Sequence, residues 1–333
     1  MAKTVSLPFE VPVFASTQGS AASGVAMSGH PTAYNQNLNQ ATSLICSRQF
    51  IKGYTSPKVA IFNIGIGSYK FFDRYTVNCR FVREYFMDII KQMLDEGFYV
   101  IYSHADDFYL PDKSWYGIRH MHHDGIICGY DENDCSVSIA AYDINWIFRL
   151  IRVPEDCFVR AIESSLDEKI YGNITAYKIK DNTVVEINEA EMLKNLKEYI
   201  DSDLNKYPPE IDSAAKGTVV HDYIAMYLDK LKDGSIPFEK MDWRALRPVW
   251  EHKKCMLDRI KAIESKHGLS DSLSKKYAPV VVNANRLRMM YAVYHRNHND
   301  RLLDKIRDGL LDVKNADNET VKVFINTLEE LVK

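Results

Sequence analysis

The first half of the chain alternates short apolar runs with polar turns, as strands of a sheet do. Apolar residues recur at helical spacing over residues 79–96 and stop at Gly97, which predicts an amphipathic helix that ends there. An Asp- and Asn-rich stretch over 131–134 is typical of a tight turn, because these side chains bond to nearby backbone. β-branched and aromatic content predicts three buried strands, over residues 98–103, 125–130 and 136–142.

The second half is dominated by the 3.6-residue repeat of amphipathic helices. One hairpin is expected near residues 174–187, ahead of these helices. We predict helices over 188–204, 214–232, 242–267, 281–296, 299–313 and 317–332. The sequence therefore predicts the α+β class, with a helix and an antiparallel sheet in the N-terminal half and a mainly helical C-terminal half.

Three segments are expected from this pattern. Residues 1–30 are rich in Ser, Ala, Gly and Pro, and we expect an extended N-terminal arm there. Residues 31–165 are expected to form an α+β domain, and residues 166–333 a mainly helical domain.

Composition and charge are those of a globular chain. Of the 333 residues 46% are hydrophobic and 26% are charged, with a net charge of −3. There is no basic field of the kind that binds nucleic acid, no apolar stretch of about 18 residues and no signal-peptide pattern, so we expect neither a nucleic-acid nor a membrane partner. The six cysteines form no CxxC pair, which favours a reduced, cytoplasmic protein.

Two residues of the first half have the placement of a catalytic pair. His123 opens one predicted strand, and Asp143 ends the next one, twenty residues further on. Adjacent antiparallel strands joined by a short turn bring such positions side by side. An imidazole whose orientation is fixed by a carboxylate can take the proton of a thiol. We therefore expect His123 and Asp143 to belong to a thiol acyl-transfer site.

The residues around this pair resemble a known family. The segment 123–130, His-Asp-Gly-Ile-Ile-Cys-Gly-Tyr, is similar to the histidine strand of papain-like cysteine proteases. A wider pattern resembles the papain-like N-terminal domain of the butirosin-pathway acyltransferase family. It consists of Phe62–Gly67, Asp106–Pro111, Gly129–Glu132 and Asp143, within a region of roughly residues 30–165.

This resemblance implies a papain-like catalytic domain over 31–165 and a specific reaction. Members of the family move an acyl group from a carrier-protein thioester to a primary amine, which forms an amide in nonribosomal natural-product biosynthesis. It implies an acyl or peptidyl carrier protein as donor, a phosphopantetheine arm that presents the acyl group, and a small amine as acceptor. No cofactor of the protein's own and no metal are expected, and the helical part over 166–333 would be a platform for the carrier protein or the acceptor.

The sequence departs from the family at the nucleophile. The resemblance places a cysteine at the start of a helix shortly before a glycine like Gly53, and residue 41 at that place is alanine. We predict a short helix over 40–52, in which Cys46 is rotated about 140° from Ala41. Ala41 as the position of a lost cysteine, and Cys46 as the nucleophile of a shifted helix, are both open.

Other functions stay open as well. A peptidase or amidase would use the same residues with water as the acceptor, and a catalytically inactive homologue would only bind. Asp106 and Asp107 are candidates for binding an acceptor amine or for capping a loop. The histidines of segment 120–123 are also typical of metal sites, for which His104 and His221 are further candidate ligands.

Overall fold

The structure is a computed structural model that describes residues 2–16, 18–53, 56–62, 69–209 and 214–333. The chain divides into two compact units. The sheet unit consists of Met1–Ala33 and Gly65–Val184, and the helical unit consists of Tyr34–Ile64 and Val185–Lys333.

Strands dominate the first half of the described chain, and the longest helices lie in its last third. The strands are β1 (Thr4–Ser6), β2 (Leu44–Ser47), β3 (Ala60–Ile61), β4 (Phe72–Asn78), β5 (Tyr99–Asp106), β6 (His122–Asp131), β7 (Ser136–Tyr142), β8 (Phe148–Pro154), β9 (Asn173–Ile179) and β10 (Ala214–Lys216). The helices are α1 (Gln18–Ala26), α2 (Asn35–Gln40), α3 (Phe86–Asp95), α4 (Glu155–Asp167), α5 (Glu189–Ile200), α6 (Val220–Lys232), α7 (Arg247–Lys266), α8 (Ser272–Asn297) and α9 (Arg301–Val332). The α+β class and the mainly helical C-terminal half are confirmed.

The sheet unit is built on an antiparallel sheet with helices on both faces. Its strands run in the order β4-β9-β5-β6-β7-β8, and β1 pairs with the end of β6. Neighbouring residues of β6 point to opposite faces: Ile127 packs with α3 and α4, and Ile126 packs with α1. A hydrophobic core therefore lies on each side of the sheet.

The segment 1–30 is not the extended arm that we expected. β1 is paired with β6, with Val5 opposite Tyr130, and α1 lies in the core with Val25 fully buried. A Cβ atom on Gly129 would lie 2.2 Å from the carbonyl oxygen of Val5, so glycine at this position lets β1 approach. The small residues that suggested a lack of structure instead allow close packing against the sheet.

The unit boundaries also differ from the predicted domains 31–165 and 166–333. β9 follows residue 165 in the sequence but pairs with both β4 and β5, so the sheet unit extends to Val184. The segment 34–64 belongs to the helical unit instead, where β2 pairs with β10. The predicted hairpin over 174–187 is occupied by β9, whose partners are distant in sequence. Pairing between distant segments leaves no mark in local composition.

The helical unit is organised around α9. Helices α5, α6 and α8 pack against it, and α7 packs against α8. We expected a break near residue 315, but α9 is continuous because buried residues such as Val313 and Asp317 extend its inner face through that point. α8 begins at Ser272 and runs through Pro279, and residues 214–216 form β10 where a helix was expected to begin. Within the described residues, no helix combines the length and the apolar character needed to cross a membrane.

An ionic network lies in the core of the helical unit. Asp317 accepts hydrogen bonds from Lys253 Nζ at 2.8 Å, from the Tyr199 hydroxyl at 2.6 Å and from the Tyr277 hydroxyl. All four residues are fully buried. Buried charges of this kind are tolerated only when they are paired and hydrogen-bonded, and here the paired groups come from α5, α7, α8 and α9.

Two neutral histidines border this network. His221 and His252 are fully buried, and each uses one ring nitrogen, toward the carbonyl oxygens of Thr218 and Thr42 respectively. Their other ring nitrogens have no hydrogen-bond partner among the described residues. Burial, reinforced by the charge of Lys253, lowers the pKa of His221 to about 3 and lowers that of His252 as well.

Candidate functional site

The predicted catalytic residues fall in both units. His123 and Asp143 belong to the sheet unit, whereas Ala41 and Cys46 belong to the helical unit. The surroundings of each residue within its own unit therefore decide what it can do.

His123 is paired with a carboxylate, and that carboxylate is Asp107. The two atoms His123 Nδ1 and Asp107 Oδ2 lie 2.7 Å apart. The imidazole is 47% exposed, whereas the Asp107 side chain is 3% exposed. A carboxylate on Nδ1 holds the proton there and leaves Nε2 as the basic nitrogen. His123 therefore has the arrangement of a general base with an oriented ring.

The pairing of β5 with β6 creates this contact. Ala105 lies opposite His123 in the sheet, after a register shift between Tyr102 and Ala105. Asp107 follows at once, in a 3₁₀ turn over Asp107–Tyr109. The irregularity at the end of β5 turns Asp107 inward and beside the first residues of β6, as bulges near functional sites do.

A buried lysine approaches the same oxygen of Asp107 that contacts His123. Lys113 Nζ is 3.7 Å from Asp107 Oδ2 and donates a hydrogen bond to the carbonyl oxygen of Tyr142 at 3.2 Å. Burial lowers the pKa of Lys113, and the charges of Asp107 and Asp143 oppose that shift. Lys113 and Asp107 thus form a buried ion pair beside His123.

Asp143 does not orient His123. Its Oδ2 accepts a hydrogen bond from Arg149 Nε at 2.6 Å, and its Oδ1 accepts the backbone N–H groups of Asn145 and Ile147. Although burial opposes it, these bonds hold the pKa of Asp143 below its usual value. An aspartate at the end of a strand bonds readily to its own turn, and this local bonding replaces the contact that strand register suggested. The carboxylate in contact with Nδ1 of His123 is that of Asp107 and not that of Asp143.

The predicted helix over 40–52 is wrong. α2 ends at Gln40 and residue 41 is its C-cap, while β2 and a 3₁₀ turn over Gln49–Lys52 occupy the rest. Only the predicted end at Gly53 is confirmed: Gly53 is the C-cap of the 3₁₀ turn and has a left-handed φ of 80°. β2 pairs with β10 and β3. Pairing with these distant strands overrides the local helical pattern.

Neither candidate nucleophile has the expected environment. Cys46 is buried in β2, and burial raises its pKa to about 12, so its thiol stays protonated at neutral pH. Ala41 is fully buried, and its carbonyl oxygen accepts a hydrogen bond from Arg259 Nη2 at 3.1 Å. The end of a helix presents carbonyl groups rather than the N–H groups that stabilise a thiolate. The glycine-rich part of the family pattern, over 62–67, falls mainly on residues outside the described ones.

A second group of polar residues lies at the same end of the sheet. Asp106 is fully buried; its Oδ2 lies 2.6 Å from His120 Nδ1 and accepts the Ser164 hydroxyl at 2.8 Å. Although burial opposes it, the hydrogen bond from His120 lowers the pKa of Asp106, and the same contact raises the pKa of His120. Asp106 Oδ1 also accepts the backbone N–H of Phe108 at 3.1 Å, so the expected capping of a loop is confirmed for Asp106, whose other oxygen is taken up by His120 and Ser164.

Glu168 joins this group from the end of α4. Its Oε2 lies 3.0 Å from His122 Nε2. Each of three residues offers one possible ligand atom here, and the three atoms lie within 4.8 Å of one another: they belong to Asp106, His120 and Glu168. No sequence pattern pointed to Glu168. The candidate ligands His104 and His221 lie elsewhere: His104 is beside Asp124, and His221 is in the core of the helical unit.

The sheet unit therefore contains an exposed imidazole on a buried carboxylate, next to a compact group of one imidazole and two carboxylates. The first arrangement suits proton transfer to and from a substrate, and the second suits ion binding. No protein-family model matches the sequence, and none of the curated proteins matches it either.

Proposed function

We propose that this chain is an acyltransferase that moves an acyl group from a carrier-protein thioester to a primary amine, with His123 as the general base. The observation that carries the proposal is the 2.7 Å contact between His123 Nδ1 and Asp107 Oδ2. The acyl donor and the amine come from the sequence resemblance around residues 123–130.

The reaction assigns a proton path to this pair. The amine nitrogen attacks the thioester carbonyl, the C–N bond forms, and Nε2 of His123 takes the proton that the nitrogen releases. The C–S bond then breaks, and the leaving thiolate receives that proton from His123. Asp107 stabilises the imidazolium between these steps because its buried negative charge faces Nδ1.

The role of a protein thiol comes from the resemblance alone. In the family a cysteine first takes the acyl group, and the matching position here is Ala41. Cys46 is a poor substitute, because its thiol is buried and protonated. Two routes follow: direct attack of the amine on the carrier thioester in the chain as written, or a covalent route that needs cysteine at position 41.

The partners follow from the chemistry of the donor. The acyl group would arrive on the phosphopantetheine arm of a carrier protein, and the acceptor would be a small primary amine. We place the reaction in the cytoplasm, where reducing conditions keep thiols and thioester chemistry intact; the free state of all six cysteines supports this location.

The experiment mixes the protein with a short acyl thioester of pantetheine and a primary amine, and follows amide, free acid and intact protein mass by mass spectrometry. The samples are the chain as written, Ala41→Cys, and each of them with His123→Asn. The control is His104→Asn, an exposed histidine of the same unit beside Asp124.

We expect amide from the chain as written or from Ala41→Cys, and an acyl adduct only in the second. Loss of His123 should slow amide formation by about 10²–10⁴-fold, the usual contribution of a general base, whereas His104→Asn should have little effect. Free acid without amide would favour the peptidase or amidase reading. No product from either protein, with a thioester that other acyltransferases accept, would contradict the proposal.

A further inference from the structure

We propose that Asp106, His120 and Glu168 form a binding site for a divalent transition-metal cation of the Zn²⁺ class. This inference concerns a different set of atoms from the His123–Asp107 pair, and it does not depend on the acyl-transfer reaction.

The three residues converge from separate elements of the sheet unit. Asp106 is the last residue of β5, His120 lies in the segment before β6, and Glu168 is the C-cap of α4. Their ligand atoms lie within 4.8 Å of one another. A bound cation would tie the end of the sheet to the end of the helix that covers it.

One of the three side chains is buried and the other two are about half exposed, as an ion site open to solvent requires. Asp106 is fully buried and provides a carboxylate ligand in a fixed position. The side chains of His120 and Glu168 are 52% and 49% exposed, so an ion and its waters can reach the site from solvent. Tetrahedral donors about 2.1 Å from an ion lie about 3.4 Å apart, and the exposed pair can adjust to this spacing while Asp106 stays in place.

Each of the three residues is held by a group outside the set. The Ser164 hydroxyl donates to Asp106 Oδ2 at 2.8 Å, and His122 Nε2 lies 3.0 Å from Glu168 Oε2. The His120 ring stacks on Phe108, with centroids 4.4 Å apart and planes 19° apart. Outer partners that fix the orientation of the ligands are a regular feature of metal sites.

The donor set selects the class of ion. One imidazole nitrogen and two carboxylate oxygens suit Zn²⁺ and neighbouring first-row cations, whereas Ca²⁺ and Mg²⁺ prefer oxygen ligands alone. Cu(I) and iron–sulfur clusters would require thiolates, and none is among these residues. Three protein ligands leave one position of a tetrahedral ion for water.

The test uses ZnCl₂ and CoCl₂ alone with the full chain. Zinc retained after dialysis is measured by elemental analysis, affinity by calorimetry, and coordination by the visible absorption of Co²⁺. The variants are Asp106→Asn, His120→Asn and Glu168→Gln. The matched control is Asp167→Asn, the exposed carboxylate next to Glu168, which pairs with Arg83.

We expect the chain and the Asp167→Asn control to retain one equivalent of zinc, and each ligand variant to bind about tenfold or more weakly. Asp106→Asn alters a buried residue, so His120→Asn and Glu168→Gln, both at exposed side chains, decide the result if that variant fails to fold. The proposal is overturned if zinc is not retained, or if these two variants retain it with unchanged affinity.

Discussion

The buried histidines of the helical unit should make its stability fall as the solution becomes acidic. His221 is fully buried, with Nδ1 directed at the carbonyl oxygen of Thr218, and its pKa is lowered to about 3 from a usual value of 6.5. Below pH 6.5 the unfolded chain takes up a proton that the folded chain does not. Stability is therefore fully present above pH 6.5 and is lost progressively as the pH falls toward 3.

The size of the effect follows from the two pKa values. Between pH 7 and pH 5, protonation of His221 in the unfolded chain should lower the unfolding free energy by about 2 kcal/mol, since each pH unit between 6.5 and 5 is worth about 1.4 kcal/mol. His252 shifts in the same direction and adds to the loss. The pKa of Asp317 is lowered to about 2 from 3.8. Its contribution to the unfolding free energy is therefore lost only below about pH 4, outside the range from pH 7 to pH 5.

The assay is urea unfolding followed by circular dichroism at pH 7 and pH 5. The variant is His221→Asn, because the Asn side-chain N–H₂ can replace the Nδ1–H bond to Thr218 without titrating. We expect the variant to lose about 2 kcal/mol less than the parent between the two pH values. The control, His295→Asn at an exposed position of α8, should leave the pH dependence unchanged. An equal loss in parent and His221→Asn would refute the reasoning.

Three further outcomes are expected. Lys253→Met should lower the unfolding free energy by about 3–5 kcal/mol in urea titrations, because it leaves Asp317 buried without its ion pair, and adding Asp317→Leu should restore most of it; equal stability of the single variant and the parent would contradict this. Gly129→Ala should cost about 1–3 kcal/mol in the same assay, because the new Cβ would lie 2.2 Å from a carbonyl oxygen of β1, and an unchanged urea midpoint would show that β1 is not held there. Iodoacetamide at pH 8 should label the exposed Cys135 and spare Cys46, as read by peptide mass spectrometry; early labelling of Cys46 would be inconsistent with its burial and its pKa of about 12.

Local patterns predicted the parts of the fold that depend on local interactions. The strands around residues 125–130 and 136–142, their connecting turn and the stop at Gly97 all follow from periodicity and turn chemistry. β1, β2 and β10 could not be found in this way, because each is a short strand whose pairing partner is far away in the sequence. α1 was missed because its Ser, Ala and Gly residues carry little hydrophobic signal, although the packed sheet buries them.

The same distinction applies to the candidate site. His123 was identified because its position at the start of a strand is a local feature. Asp107 was not assigned to it, because their contact depends on the register shift near Tyr102, which no sequence pattern specifies. Strand register alone pointed to Asp143, but hydrogen bonds within the turn after β7 engage that carboxylate instead. Glu168 could not be predicted because it comes from α4, 46 residues away from its partner His122.

The most direct test of the central claim compares two carboxylates in the acyl-transfer assay. Asp107→Asn and Asp143→Asn are made in whichever background forms amide, the chain as written or Ala41→Cys, and the rate of amide formation is measured for each. The account predicts a large loss for Asp107→Asn, because Nδ1 of His123 then no longer faces a charge at 2.7 Å, and only a small one for Asp143→Asn, whose side chain bonds to Arg149 and its own turn. A large loss for Asp143→Asn with an unchanged rate for Asp107→Asn would contradict it.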